Sequence, residues 1–323
     1  MKRILVTGGA GFIGSHLARR LVERGDQVTI VDNLSTGSRD NLPPGTSLLY
    51  LDLSSPAFVA ALPRKPFDAV CHLAAQSSGE VSHEDPLYDI RVNTISTLLL
   101  TRWCRAQGVG RLLYGSSMAV YGEPEHLPIR EEHPCHPLSY YGVSKVTSEH
   151  YLWLAQQDGL STTALRMFSV YGPGQNLGNL KQGMVSIYLA YLLRGEPIVV
   201  KGSMERFRDF IYIDDVVDGW LTALERPEAD EGVFNLASGA PTTVQQLLDQ
   251  LIQAFGEDPS SYPVHQESPT PGDQFGIYAD ISRISTDLAW IPRIGLAEGL
   301  EHMIKWAMAR QAGRAAMTGR REG

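Results

Sequence analysis

The chain has 323 residues, which allows one large domain or two closely packed ones. Its 43% hydrophobic and 20% charged residues are those of an ordinary globular protein, long enough to bury a sizeable core. With 28 Lys plus Arg against 36 Asp plus Glu, the net charge of −8 argues against a protein that coats nucleic acid.

The first thirty residues carry the clearest pattern. Ile4-Leu5-Val6 is a short apolar run that suits a strand buried on both faces. Thr7-Gly8-Gly9-Ala10-Gly11-Phe12-Ile13-Gly14 follows. Phe12, Leu17, Leu21 and Val22 then recur at helical spacing until Gly25. Val28 to Val31 forms a second strand that ends in Asp32, completing a β-α-β unit. Further strands are predicted over Ser47–Leu51, Ala69–Leu73, Arg111–Tyr114 and Thr162–Arg166, and helices over Asn93–Ala106 and Tyr141–Gln156. This alternation predicts a Rossmann-like, doubly wound parallel sheet with ligands at the carboxyl ends of its strands. After Tyr171, glycines and prolines multiply and the elements shorten. The expected division is a dinucleotide-binding domain over 1–172, rejoined at about 211–238, and a smaller α/β substrate region over 173–210 and 239–309. Arg310, Arg314, Arg320 and Arg321 mark 310–323 as a flexible basic tail.

Cys71, Cys104 and Cys135 make no disulfide framework and no C-x-x-C pair, which fits a reducing compartment. No apolar run approaches the roughly 18–20 residues that span a bilayer, and Gly8, Gly9 and Gly11 break up any signal-peptide core. The expectation is a cytoplasmic protein with no membrane or nucleic-acid partner and no metal site.

Gly8, Gly11 and Gly14 stand between a strand and a helix, the context in which this spacing cradles a pyrophosphate. Glycine permits close backbone approach, and a helix N-terminus offers free N–H groups. Asp32 ends the second strand, where a carboxylate accepts from ribose hydroxyls and repels a 2′-phosphate, favouring NAD over NADP. Asp52 ends the next strand, where it either holds the adenine amino group or caps a loop. Tyr141 and Lys145 are four apart and share a helix face. An ammonium beside the phenol, together with the positive nicotinamide ring, would favour the phenolate, which makes Tyr141 a candidate base. Ser117, at a strand end, is placed to hydrogen-bond the reacting oxygen.

The chain resembles the extended short-chain dehydrogenase/reductases, in particular the NAD-dependent nucleotide-sugar epimerase/dehydratase family, and within it UDP-glucose 4-epimerases. The resemblance runs from Thr7 to about Leu300. It is carried by Thr7–Gly14, His72-Leu73-Ala74-Ala75, Asn93, Ser116-Ser117, Val120-Tyr121-Gly122, Tyr141-x-x-x-Lys145, Val170 to Gly174 and Arg208 to Asp215. It implies NAD contacts from Phe12, Ile13, Asn33, Ser35, Thr36, Gly37, Leu53, Leu73, Ala74, Ala75, Asn93, Lys145 and Phe168. It also implies a nucleotide-diphosphate sugar, UDP-linked, held by Ser117, Tyr141, Ser169, Gln182, Met184, Arg208, Asp273 and Ile277. By the resemblance, Tyr141 takes the proton of a sugar 4-hydroxyl, a 4-keto sugar turns over, and the hydride returns to its other face. A homodimer through the helices near Asn93–Ala106 and Tyr141–Gln156 is implied as well.

The sequence departs from the family pattern in ways that bear on the reaction. Met118 and Ala119 follow Ser117 where 4,6-dehydratases resemble one another in Asp-Glu, and where decarboxylases of UDP-glucuronate carry Glu at the position of Ala119. What remains is 4-epimerisation, with reduction of a 4-keto sugar as the alternative. Ser169 stands where Asn commonly contacts the diphosphate, and Thr270 where an Arg precedes Pro-Gly-Asp. Ile277 stands where a Tyr closes the sugar pocket of glucose-restricted epimerases, which leaves N-acetylhexosamine substrates open.

Overall fold

A computed structural model describes residues 1–65, 67–269 and 272–319, with side chains described as far as 313. In chain order, β1 is Arg3–Thr7, α1 Phe12–Glu23, β2 Gln27–Asp32, β3 Ser47–Tyr50, α2 Phe58–Ala61, β4 Ala69–His72, α3 Gly79–Glu84, α4 Pro86–Asp89 and α5 Ser96–Gln107. There follow β5 Arg111–Ser117, α6 Tyr140–Gln157, β6 Ser161–Met167, β7 Ser169–Tyr171, α7 Met184–Arg194, β8 Ile198–Lys201, β9 Phe207–Tyr212 and α8 Ile213–Glu225. The last elements are β10 Val233–Leu236, β11 Pro241–Thr243, α9 Val244–Phe255, β12 Val264–Glu267, α10 Ser282–Leu288 and α11 Leu296–Gly319.

Seven strands form one parallel sheet in the order β10-β6-β5-β4-β1-β2-β3. The strand order reverses between β1 and β4, which opens a crevice at the carboxyl ends of these two strands. Burial on both faces explains the continuous apolar runs: Ile4, Leu5, Val6, Val70, Cys71, Leu112 and Leu113 are all fully buried. One core lies under α1, α8 and the later elements; a second joins Leu5, Val31 and Tyr114 to Trp103 on α5 and Leu152 on α6. A smaller sheet has the order β11-β9-β7, and β12 pairs with β8.

The expected elements occur, with shifted limits. The helix expected from Asn93 begins at Pro86, where Asp85 accepts a hydrogen bond from the Tyr88 N–H and Pro86 takes the first turn. It then passes through a π-helical stretch, Ile90–Ile95, before α5. Ser139 caps α6 by accepting from the Gly142 N–H, and Gly108 stops α5 in the left-handed region. The tail expected to be flexible from residue 310 continues α11 to Gly319. Among the described residues, no helix is long and apolar enough to cross a membrane.

Candidate active site

The crevice is a cleft of about 540 Å³, lined at one end by the loop after β1 and at the other by β9 and the 272–274 segment. At the first end the backbone folds on itself. Gly8 has φ of +71° and lies against β4's exit, where a Cβ would stand 2.6 Å from the Ala74 nitrogen. A Cβ on Gly14 would stand 2.1 Å from the Gly8 carbonyl oxygen. No side chain caps α1 at Gly11, so its first N–H groups face the cleft free. Uncapped N–H groups in a cradle that only glycine fits are suited to a pyrophosphate.

Asp32 forms the next wall. Its carboxylate accepts from the Ala10 N–H at 2.9 Å and the Leu34 N–H at 2.8 Å, which fixes it with lone pairs to spare for a ribose. Asp52 lines the cleft and also accepts from the Ser54 N–H, so it both faces the ligand and caps its turn. Phe12, Ile13, Asn33, Ser35, Thr36, Leu53, Leu73, Ala74, Ala75 and Phe168 line the cleft as well. Gly37 does not; a Cβ there would strike the Ala10 carbonyl, so it serves loop packing.

Asn93 is likewise outside the cleft lining. Its amide holds the backbone of Gln76 through bonds of 3.0 Å to both N–H and C=O, and donates to Asp89, one turn back. Asp89 is fully buried and also accepts from Gln76 and from the Ser144 hydroxyl. Burial pushes its carboxyl above the usual range, against those hydrogen bonds. Asn93 thus shapes the cleft through the loop after β4. His72 ties the same loop to β1 and α5 through Thr7 at 2.7 Å and Thr97 at 3.1 Å, and burial pushes its imidazole down to about 3, leaving it neutral.

Ser117, Tyr141 and Lys145 meet at the middle of the cleft. The Tyr141 phenol and the Ser117 hydroxyl both line this part of the cleft, and Ser117 accepts from the Ala119 N–H. The Lys145 ammonium donates to the Gly115 carbonyl at 2.7 Å and lies 4.7 Å from the Tyr114 ring centre. Burial pushes the Tyr141 phenol up to about 12, with the Asp89 charge adding to the rise and Ser117 opposing it. The Lys145 ammonium also lies 5.7 Å from the Tyr141 ring centre. Burial pushes the Lys145 ammonium down to about 8, against the pull of Asp89 and Glu149. Beneath, Ser116 donates to Glu149, which forms a buried forked pair with Arg166 at 2.7 and 3.0 Å.

At the far end, Ser169, Gln182, Met184, Arg208 and Asp273 line the cleft. Arg208 is buried and donates to Asp273 at 2.5 Å and to the carbonyls of Gln274 and Phe275. Ile277 is the third residue that the structure places outside the cleft lining. It is 0% exposed and packs among Val120, Tyr121, Ile129 and Phe168, and its N–H donates to the Phe207 carbonyl. Thr270 lies outside the described residues. Sequence reasoning missed Arg206, Glu149, Arg166 and Asp89. Asp89 is four residues from Asn93, Glu149 four from Lys145 and Arg206 two from Arg208, which are the local signals they left.

A nucleotide cradle that leads into a tyrosine–lysine pair defines a dinucleotide-dependent enzyme of the dehydrogenase type. The model of the NAD dependent epimerase/dehydratase family matches residues 4–237, and the chain belongs to that family. The putative UDP-glucose 4-epimerase of Methanocaldococcus jannaschii is 34% identical over 305 residues, 94% of this chain and 97% of its own. Among solved structures, UDP-glucose 4-epimerase of Thermotoga maritima with UDP-glucose superposes with a TM-score of 0.90 at 36% identity, covering 96% of this chain and 99% of that one. UDP-glucose 4-epimerase of Thermus thermophilus, in complex with NAD, gives 0.86 at 35% identity, covering 94% and 98%. The cofactor is NAD, and the cradle, Asp32 and the free N–H groups of α1 suit it.

Proposed function

We propose that the enzyme interconverts the 4-epimers of a UDP-linked sugar: UDP-glucose and UDP-galactose, or their N-acetylhexosamine equivalents. The reading rests chiefly on one observation. Ser117 and Tyr141 meet between the dinucleotide cradle and Arg208, while the adjoining positions are Met118 and Ala119. Among the described cleft residues the carboxylates are Asp32, Asp52 and Asp273, at the two ends rather than beside Tyr141.

Bound NAD supplies a reversible hydride acceptor. Arg208 faces the diphosphate, where its planar fork suits phosphate oxygens, and Asp273 faces the ribose. Ser117 holds the sugar 4-oxygen and passes its hydrogen bond to Tyr141. With the Lys145 ammonium and the positive nicotinamide ring favouring its phenolate, Tyr141 takes the hydroxyl proton as the 4-carbon is oxidised, and returns it after the keto sugar has turned over. Lys145 keeps a positive charge near this exchange while it remains protonated. A relative named UDP-glucuronic acid decarboxylase makes loss of a carboxylate the second reading; Met118 and Ala119 lack the acid–base group that step calls on.

The test is to mix NAD-loaded enzyme with UDP-glucose, UDP-galactose and their N-acetyl analogues and follow the sugars by NMR. Interconversion without added cofactor is expected. If no sugar changes, and a 4-keto sugar is reduced only with added NAD(P)H, the reductase reading replaces this one. We also infer two lobes, 1–172 with 211–238 and 173–210 with 239–309. A second copy docking on α6 accounts for the exposure of Val143 (48%), Trp153 (56%) and Leu154 (51%). A reducing, cytoplasmic setting suits the three free cysteines.

A further inference from the structure

Arg206 immediately precedes β9, and Arg208 is the second residue of that strand. Two apart on extended backbone, their side chains leave on the same side. Both reach one carboxylate. Arg208 Nη2 meets Asp273 Oδ1 at 2.5 Å, and Arg206 Nη1 meets Asp273 Oδ2. Both guanidiniums are buried, and Arg206 is further held by the carbonyls of Lys201 and Ser203. Arg208 lines the cleft and Arg206 does not. Two buried like charges on one carboxylate leave these three side chains with a single net positive charge, the exposed Glu123 being the further acid that acts on Arg208. A buried charge needs compensation, so this surplus marks a place for an anion.

We propose that Arg206, Asp273 and Arg208 form an anion-exchange clamp, in which Asp273 occupies Arg208 until a diphosphate takes its place and Arg206 then keeps the released carboxylate neutralised. The identity of the anion rests on the sugar-nucleotide reading above. With Arg208 as its sole cation, the group would face a choice. Either the diphosphate or Asp273 would stand unpaired, and the two anions would repel each other. Arg206 removes that conflict, because its position behind the cleft wall lets it stay on Asp273 while Arg208 turns. Burial, together with the neighbouring Arg206, pushes Arg208 down only to about 10, so the clamp keeps its charge at neutral pH. Arg206 is a positioning residue here, since it acts on the ligand through Asp273.

Calorimetric titration of the NAD-loaded protein with UDP tests the clamp without relying on turnover. Arg206→Gln is expected to weaken UDP binding tenfold or more, and in turnover assays to raise KM more than it lowers kcat. Removing the carboxylate removes the need for its partner. The double variant Arg206→Gln, Asp273→Asn should therefore bind UDP within about threefold of Asp273→Asn alone, a rescue that a packing role for Arg206 does not produce. Arg206→Lys, which keeps the charge but loses the fork, should stay within about threefold of the unaltered protein. The proposal is overturned if Arg206→Gln binds UDP within twofold of the unaltered protein, or if the double variant is as weak as Arg206→Gln. Should Arg206→Gln not fold, a tenfold loss in Arg206→Lys overturns it equally. Failure of the unaltered protein to bind UDP, ADP, GDP or dTDP also overturns it. Binding of UDP without interconversion of any UDP sugar sinks the epimerase reading and leaves the clamp standing.

Discussion

At the α1 end of the cleft an anion meets backbone; at the β9 end it meets side-chain charge. The first end offers uncapped N–H groups, and its shape depends on Gly8 and Gly14 having no Cβ. The second offers two guanidiniums already engaged with Asp273. Backbone dipoles need no compensating charge and cannot be mutated away, but they tolerate no added atom. Guanidiniums tolerate a change of shape better than a change of charge. An acidic chain can thus hold two diphosphates while placing buried arginines at only one of them.

Between the two ends stands Tyr141, and its replacement is expected to have the largest effect. Tyr141→Phe should lower the rate by about 10³-fold, roughly 4 kcal/mol of transition-state stabilisation, while NAD stays bound. A rate within tenfold of the unaltered enzyme would remove the proton-transfer role. Next comes the backbone end. Gly14→Ala should cost most of the bound NAD, read as cofactor released on denaturation, because its Cβ would overlap the Gly8 carbonyl. Retention of stoichiometric NAD would show that the cradle yields.

The third prediction concerns Lys145, held low at about 8 by burial against an ordinary 10.5. Below pH 8 both folded and unfolded chains keep this proton. Between 8 and 10.5 the folded chain sheds it first, so the folded state gains stability as pH rises. In the cofactor-free protein, unaltered Lys145 should therefore gain Tm relative to Lys145→Met across that window, and a constant difference would contradict the burial argument. The smallest effect on catalysis is expected from Trp153→Glu with Leu154→Glu, which should halve the mass in light scattering if a second copy covers α6.

The dinucleotide half was largely legible in the sequence, because its signals are local. A strand, three spaced glycines, a helix and an acidic strand end all fall within Ile4–Asp32. Tyr141 and Lys145 share a helix turn and were equally plain. The buried polar supports were not. Glu149–Arg166 and Arg206–Asp273 join residues far apart in the chain, and no spacing announces them. Ile277 shows the same limit from the other side: its place in the core with Val120, Tyr121 and Phe168 depends on residues far from it in the chain.

The strand order has a consequence for how the chain can be made and divided. The outermost strand, β10, pairs with β6 through Val233 to Leu236, after the chain has already built α7, β8, β9 and α8. Until that segment arrives, Ser161–Met167 presents a bare sheet edge, the kind of surface that recruits stray strands. A fragment ending near residue 172 would carry the whole nucleotide fingerprint and still expose that edge. The strand that closes the sheet at β6 thus reaches its place only after the chain has passed through Met184 and Arg208 at the far end of the cleft.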